Sequence, residues 1–261
     1  MKTFRLLIGA CSLLLLFSCG NKPNDKGEFI MEKPNGQGEV RIKFYNDGKI
    51  EYIQEVKNDA PEGFFINFSK NGNPKSTSVI LNGKKEGTGI VFYPNGTVNN
   101  LGTYKNDEKT GFFWIWDKKA NLVEKREYVT VKGKNQMNQW LKLDEHLQPV
   151  AAESNYISLQ ADKDTITSGE SYNLTVSLDA SYKDAYMALI IGPFDEQYNL
   201  PSGSKCDTLI GKNFVAVYKT TQYKNGNNTL RGVVKDISVS EDMESTSARN
   251  IYFTKEFLVR K

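Results

Sequence analysis

One short phrase recurs down the first half of this chain at a fixed period, and that period constrains the fold more than any other feature. Gly48, Gly72, Gly96 and Ala120 stand 24 residues apart, as do Phe44, Phe68, Phe92 and Trp116. Ile42, Ile66, Ile90 and Trp114 keep the same step, Gly63, Gly87 and Gly111 close each unit, and Asn58, Asn82 and Asn106 fall between. A period held at this many positions marks a repeat architecture, in which each unit covers its apolar side by stacking on its neighbours.

Each unit reads as a β-hairpin. An alternating run such as Ile90-Val91-Phe92-Tyr93 leads into Pro94-Asn95-Gly96, where Asn and Gly tolerate the positive φ angles that tight turns need. The return strand keeps Val56, Ile80, Tyr104 and Tyr128 in phase, and Asn58-Asp59, Asn82-Gly83 and Asn106-Asp107 open the next turn. Four units predict about eight strands of a meander. Trp140 lies 24 residues beyond Trp116, so Met137 to Pro149 reads as a fifth, degenerate hairpin.

Neighbouring side chains in a strand point to opposite faces. Ile42, Phe64, Ile66, Ile90 and Trp114 therefore belong to an apolar ladder expected to form the repeat's own core. Phe65, Tyr93, Phe113 and Ile115 fall on the second face. Phe65, Tyr93 and Phe113, together with Trp140, are the candidate partner-binding residues, because aromatic anchors dominate binding energy at interfaces.

The segment Gly87-Thr88-Gly89-Ile90-Val91-Phe92-Tyr93-Pro94-Asn95-Gly96, followed by Gly102-Thr103-Tyr104-Lys105-Asn106-Asp107 and Gly111, resembles the MORN repeat in the bacterial variant of YwqK-family antitoxins. The likeness runs from about Gly38 to Pro149. It implies a repeat sheet and, by the family label, an antitoxin or immunity role, although the variant also occurs in envelope proteins with no assigned activity. Ala120 departs from the pattern where Gly is expected, and Glu39 replaces the opening Gly, as befits capping units.

Residues 1–18 carry Lys2 and Arg5, then an apolar run from Leu6 to Phe17, the make-up of an export signal too short to span a bilayer. Leu16-Phe17-Ser18-Cys19 resembles the bacterial lipobox, which implies cleavage before Cys19 and lipidation of its thiol. Two or three acyl chains hold a protein at a membrane durably, at about 0.8 kcal/mol per buried CH₂. Gly20 and Asn21 lack the Asp of inner-membrane retention in enterobacterial lipoproteins, so the resemblance implies the outer membrane. Residues 19–37, rich in Gly, Asn, Lys and Pro, read as a lipidated flexible tether.

Residues 38–150 then form the repeat domain, and residues 151–261 a second one. There the period is lost and short strand signals recur: Tyr156 to Ala161, Ser171 to Leu178, Ala185 to Ile191, Phe214 to Thr220, Asn228 to Ile237 and Ile251 to Val259. This spacing predicts an immunoglobulin-like β-sandwich. The fold class expected for the whole chain is all-β, a MORN-like repeat hairpin sheet followed by that sandwich.

The chemistry is read mainly from what the chain lacks. His146 is the one histidine, and it falls in an expected turn, so a histidine triad or a multi-histidine metal site has almost nothing to be built from. Glu241, Asp242 and Glu244 read as a solvated charge run, and Asp162 with Asp164 lacks the rest of a calcium loop. No Gly-rich loop precedes a helix. Loss of Cys11 with the signal and lipidation of Cys19 leave Cys206 alone, without a disulfide partner. Without its signal the chain holds 32 basic against 31 acidic residues, a balance that argues against nucleic acid.

The expectation is therefore a non-enzymatic, cofactor-free and metal-free lipoprotein that holds another envelope protein, as an adaptor in a secretion or motility assembly. A YwqK-like antitoxin and a surface glycan binder are the alternatives.

Overall fold

The computed structural model describes residues 22–33, 36–179, 185–239 and 246–261. Cys19 and the expected signal lie outside the described residues. The first ten strands form one antiparallel sheet in which spatial order is sequence order. By internal contacts the chain divides into two compact units, one ending at Gly96 and the other running from Thr97 to Lys261. The last two repeat hairpins thus group with the sandwich.

The first unit holds β1 (Glu28–Glu32), β2 (Glu39–Phe44), β3 (Ile50–Lys57), β4 (Ala60–Phe68), β5 (Pro74–Leu81) and β6 (Lys84–Phe92). Two kinds of turn join them. At Asn58-Asp59 and Asn82-Gly83 both central residues have positive φ, from 50° to 75°, the two-residue turn whose twist matches that of the flanking strands. At the other end Tyr45 N–H bonds Lys49 C=O and Ser69 N–H bonds Asn73 C=O, with Gly48 and Gly72 at φ 83° and 89°. Register pairs Ile42 with Ile53, Ile53 with Ile66, Ile66 with Thr77 and Thr77 with Ile90. Much of the expected ladder is therefore a row across one face.

β1 places a strand inside residues 19–37, which read from sequence as a flexible tether: Glu28–Glu32 pair with β2. Phe29 meets Phe44 edge to face at 5.5 Å, and the nearly buried Glu28 accepts bonds from Asn24 Nδ2 and Tyr52 Oη. Five residues are too short a run to show a period. Gly63 and Gly87 mark the places where β4 and β6 take two extra residues against their partners. Their φ angles of 113° and 71° explain why the repeat needs glycine there: a bulge of this kind turns the backbone left-handed.

The second unit continues with β7 (Val98–Lys105), β8 (Glu108–Trp116), β9 (Leu122–Val131) and β10 (Lys134–Lys142). Asn106-Asp107 and Lys132-Gly133 again have positive φ at both positions. Ala120 occupies the left-handed position at φ 66°, and the turn survives because Asp117 Oδ1 accepts the N–H groups of Lys119 and Asn121 while Oδ2 takes the Asn121 amide. Leu147 repeats the arrangement at φ 61°, with Asp144 accepting from His146 and Gln148. Left-handed backbone costs a residue with a Cβ about 1–2 kcal/mol. Ala120→Gly is accordingly expected to stabilise the protein by about 1 kcal/mol, seen as a higher urea midpoint; an unchanged or lower midpoint would show that the Asp117 contacts already remove the strain.

The left-handed residue moves 27 positions from Ala120 to Leu147, not 24. The structural counterpart of Trp116, the residue just before the turn, is therefore Leu143, and Trp140 lies in phase with Trp116 only in sequence. The fifth hairpin is half made: β10 pairs with β9, and its return arm is reduced to the Leu143 to Pro149 bridge.

After a 3-10 turn at Ala151–Glu153 come β11 (Tyr156–Ala161), β12 (Thr165–Thr167), β13 (Tyr172–Asp179), β14 (Ala185–Gly192), β15 (Asp207–Ile210), β16 (Val215–Thr220), β17 (Gly226–Val239) and β18 (Thr246–Arg260). They form two sheets, β11-β13-β16 and β12-β18-β17-β14-β15. With β12 parallel to β18, this is the strand order of an immunoglobulin-type sandwich, β11, β13 and β16 standing for A, B and E and β14, β17 and β18 for C, F and G. All six expected strands are present, while β12 and β15, three and four residues long, fall below the length at which alternation is readable. Leu174, Val176, Leu189, Val234 and Ile251 are fully buried between the sheets, and Tyr172 stacks on Phe257 at 3.9 Å. The Tyr223 hydroxyl bonds both Gly169 N–H and Glu170 C=O, tying the loop before β17 to the loop before β13.

Candidate functional site

The four aromatic candidates occupy unlike places. Phe113 is 2% exposed. It lies edge to face between Tyr104 at 5.4 Å and Tyr128 at 5.3 Å, under the Lys109 ammonium at 5.1 Å. Its ring fills the space a side chain at Gly102 would take: a Cβ there would meet ring carbons at 2.4 Å. Phe113 is thus an interior residue, which corrects its reading as a partner contact. Trp140 is half-buried and already engaged, its Nε1 donating to Glu153 C=O and its ring facing the Arg249 guanidinium at 4.1 Å. Phe65 is half-buried beside Tyr52, 5.9 Å between ring centres, and Tyr93 is half-buried.

Exposure falls instead on residues assigned to the ladder or to no site. Phe64, beside the Gly63 bulge, is 63% exposed. In the sandwich, Ile210 at the end of β15 and Val215 and Val217 on β16 face solvent. β15 and β16 are the edge strands of their sheets, touch each other, and are linked by a bond from Tyr218 Oη to Asp207 Oδ2 at 3.2 Å.

A polar junction joins β10 to the sandwich. In β4, β6 and β8 the recurring bulge carries Gly63, Gly87 and Gly111, but in β10 the extra residue is Asn138. Asn138 is 1% exposed. Its Nδ2 donates to Tyr252 C=O at 2.8 Å and its Oδ1 accepts Tyr252 N–H at 2.8 Å, so one amide stands in for a neighbouring strand along β18. Arg249 Nη2 donates to Asn138 C=O, Gln139 Oε1 accepts Ile157 N–H, and the Asn155 amide donates to Asp236. The run Asn135-Gln136-Met137-Asn138-Gln139 is the sequence signal that marks this junction: amides replace the apolar alternation of the earlier repeats.

Glu127 lies at the foot of the junction and lines a cleft of about 460 Å³. Its Oε2 accepts from Asn138 Nδ2 at 2.6 Å and Gln139 Nε2 at 2.7 Å, and its Oε1 makes no hydrogen bond to a described residue. Glu108, Glu196, Tyr198, Tyr252 and Thr254 also line the cleft, with Lys105 and Lys109 among its wall residues. Tyr198 holds left-handed backbone at φ 58° in a turn fastened by Asp195, and its hydroxyl meets Thr254 Oγ1 at 3.2 Å.

Two neighbouring carboxylates on β9 show opposite electrostatics. Glu124 is 5% exposed, and burial alone would raise its pKa, but bonds from Arg126 at 2.6 Å and Lys142 at 3.2 Å outweigh burial and hold it below its ordinary value. Glu127 has no such cation among the described residues. Burial pushes its carboxyl up from 4.5, and the two amide bonds offset only part of that.

A raised folded-state pKa means the native protein binds more protons than the unfolded chain just above 4.5, so this group subtracts stability as pH climbs through that window and keeps subtracting above it. Glu127→Gln, which keeps an acceptor oxygen, is expected to match the native protein near pH 4 and to exceed it at pH 7. Urea midpoints at the two pH values test this, and an equal difference at both would sink it.

His146 stands exposed in its turn, and Cys206 is half-buried over Gly192. Asp164 is paired with Lys255 at 2.6 Å. Residues 241, 242 and 244 lie outside the described residues. No protein-family model matches the chain, and no curated protein matches it.

Proposed function

We propose that the protein is a lipid-anchored adaptor of the bacterial outer membrane, held by Cys19, that grips another envelope protein by adding an extended segment of it to the sandwich edge. The observation that carries this reading is the pair of adjoining edge strands β15 and β16 bearing Ile210 at 72% and Val217 at 54% exposure. An edge strand offers unpaired main-chain donors and acceptors, and natural proteins usually blunt such edges with charge. Here Val215, Val217 and Ile210 face outward beside the polar Thr208 and Lys219, an aliphatic patch that favours strand addition with alternate side chains seated beside Val215 and Val217. The rigid polar junction would keep the sandwich in one pose on the last repeat strand. The MORN-like phrase and the lipobox-like Leu16 to Cys19 segment are consistent with an envelope setting.

Crosslinking in native membranes, followed by capture of the protein, tests the reading. The native chain is expected to bring down one envelope protein that Val217→Lys with Ile210→Lys loses, while Cys19→Ala moves the protein to the soluble fraction. Membrane retention of Cys19→Ala, or undiminished capture by the double lysine variant, would refute it.

A further inference from the structure

We infer that the cleft beside Glu127 is a receptor for a lysine or arginine side chain. The inference rests on the adaptor reading for the source of that side chain, a basic residue of the bound protein.

Three observations converge. The cleft has the size of a small-ligand site at about 460 Å³. Glu127 presents an oxygen no described residue uses, while its other oxygen is fixed in place by two side-chain amides. A partly desolvated carboxylate that no described cation pairs gains from one that arrives. The surroundings suit an arriving cation: Tyr198 and Tyr252 lie 4.8 Å apart between ring centres, and aromatic rings attract ammonium and guanidinium groups.

Among the described residues neither lysine of the cleft pairs with Glu127. Lys109 sits over the Phe113 and Tyr128 rings at 5.1 and 4.7 Å, and Lys105 stands opposite Glu108 in the β7 to β8 register. Glu108 and Glu196 add negative charge to the walls. The charge and hydrogen-bonding groups here therefore select an extended basic side chain over an anion or an apolar group.

The test uses the full soluble Cys19→Ala chain and Nα-acetyl-lysine methylamide, observed by amide NMR. Saturable shifts confined to residues around Glu127, Tyr198, Tyr252 and Thr254 are expected. They should weaken about tenfold or more when the probe's side-chain amine is acetylated, because that removes the charge. The arginine analogue should compete. Glu127→Gln should weaken binding by a similar factor, and Tyr252→Leu provides a second variant if the first is poorly folded.

Equal binding of charged and acetylated probes, or shifts elsewhere, overturns the inference even if edge variants still abolish partner capture, in which case the adaptor reading survives. Charge-selective binding in the cleft supports the inference even if no partner is captured, and then only the adaptor reading fails.

Discussion

Phe113→Ala is expected to destabilise the protein by about 3–5 kcal/mol, the range for removing a large buried aromatic side chain. The ring is enclosed by Tyr104, Tyr128 and Lys109 and rests on Gly102, so truncation leaves a void that strand backbones cannot close. Gly102→Ala tests the same contact from the other side. A Cβ at 2.4 Å from the ring must displace it, and a loss of about 1–3 kcal/mol is expected from overpacking. Urea denaturation of both variants is the measurement. An unchanged midpoint for Phe113→Ala would return the ring to the surface role that alternation alone suggested.

Asn138→Ala should cost about 2–4 kcal/mol, since it strands the Tyr252 N–H and C=O and removes a donor from Glu127 in a buried place. The loss should be concentrated where β10 meets the sandwich. Hydrogen exchange would show it as faster exchange at the Tyr252 amide, with the β17 core amides protected until global unfolding. Uniform acceleration across the whole chain would mean instead that the junction and the sandwich core open as one. Asn138→Asp is a sharper variant: it keeps the acceptor for Tyr252 N–H but sets a carboxylate against Glu127.

Much of the repeat could be read before any coordinates. Asn58, Asn82 and Asn106 announced the two-residue turns, and the glycine positions announced the wider ones, because those backbone conformations are local and admit few residue types. The six longer sandwich strands were legible for a related reason: in β13, for example, buried Tyr172, Leu174, Val176 and Leu178 alternate with partly exposed residues.

The candidate site was much less legible. Phe113 and Phe64 exchanged expected roles because alternation assigns a face and says nothing of what covers it. Gly102 makes a bed for the Phe113 ring from the neighbouring strand, and the backbone around Gly63 leaves the Phe64 side chain in solvent. Glu127 carries no motif at all. Its importance arises from residues 11 and 12 positions on, Asn138 and Gln139, and from Tyr198 and Thr254 in another sheet and loop.

The amino-acid order alone determined the hairpin period, the turn types and the all-β class, since each is set by interactions within a few residues along the chain. Only the tertiary structure decided which aromatic rings are enclosed, which strands stand at the sheet edges, and that an asparagine inserted in β10 fastens the repeat's end to β18. Those outcomes depend on burial and hydrogen-bond partners brought from over a hundred residues away, as between Asn138 and Tyr252, and no local pattern records them.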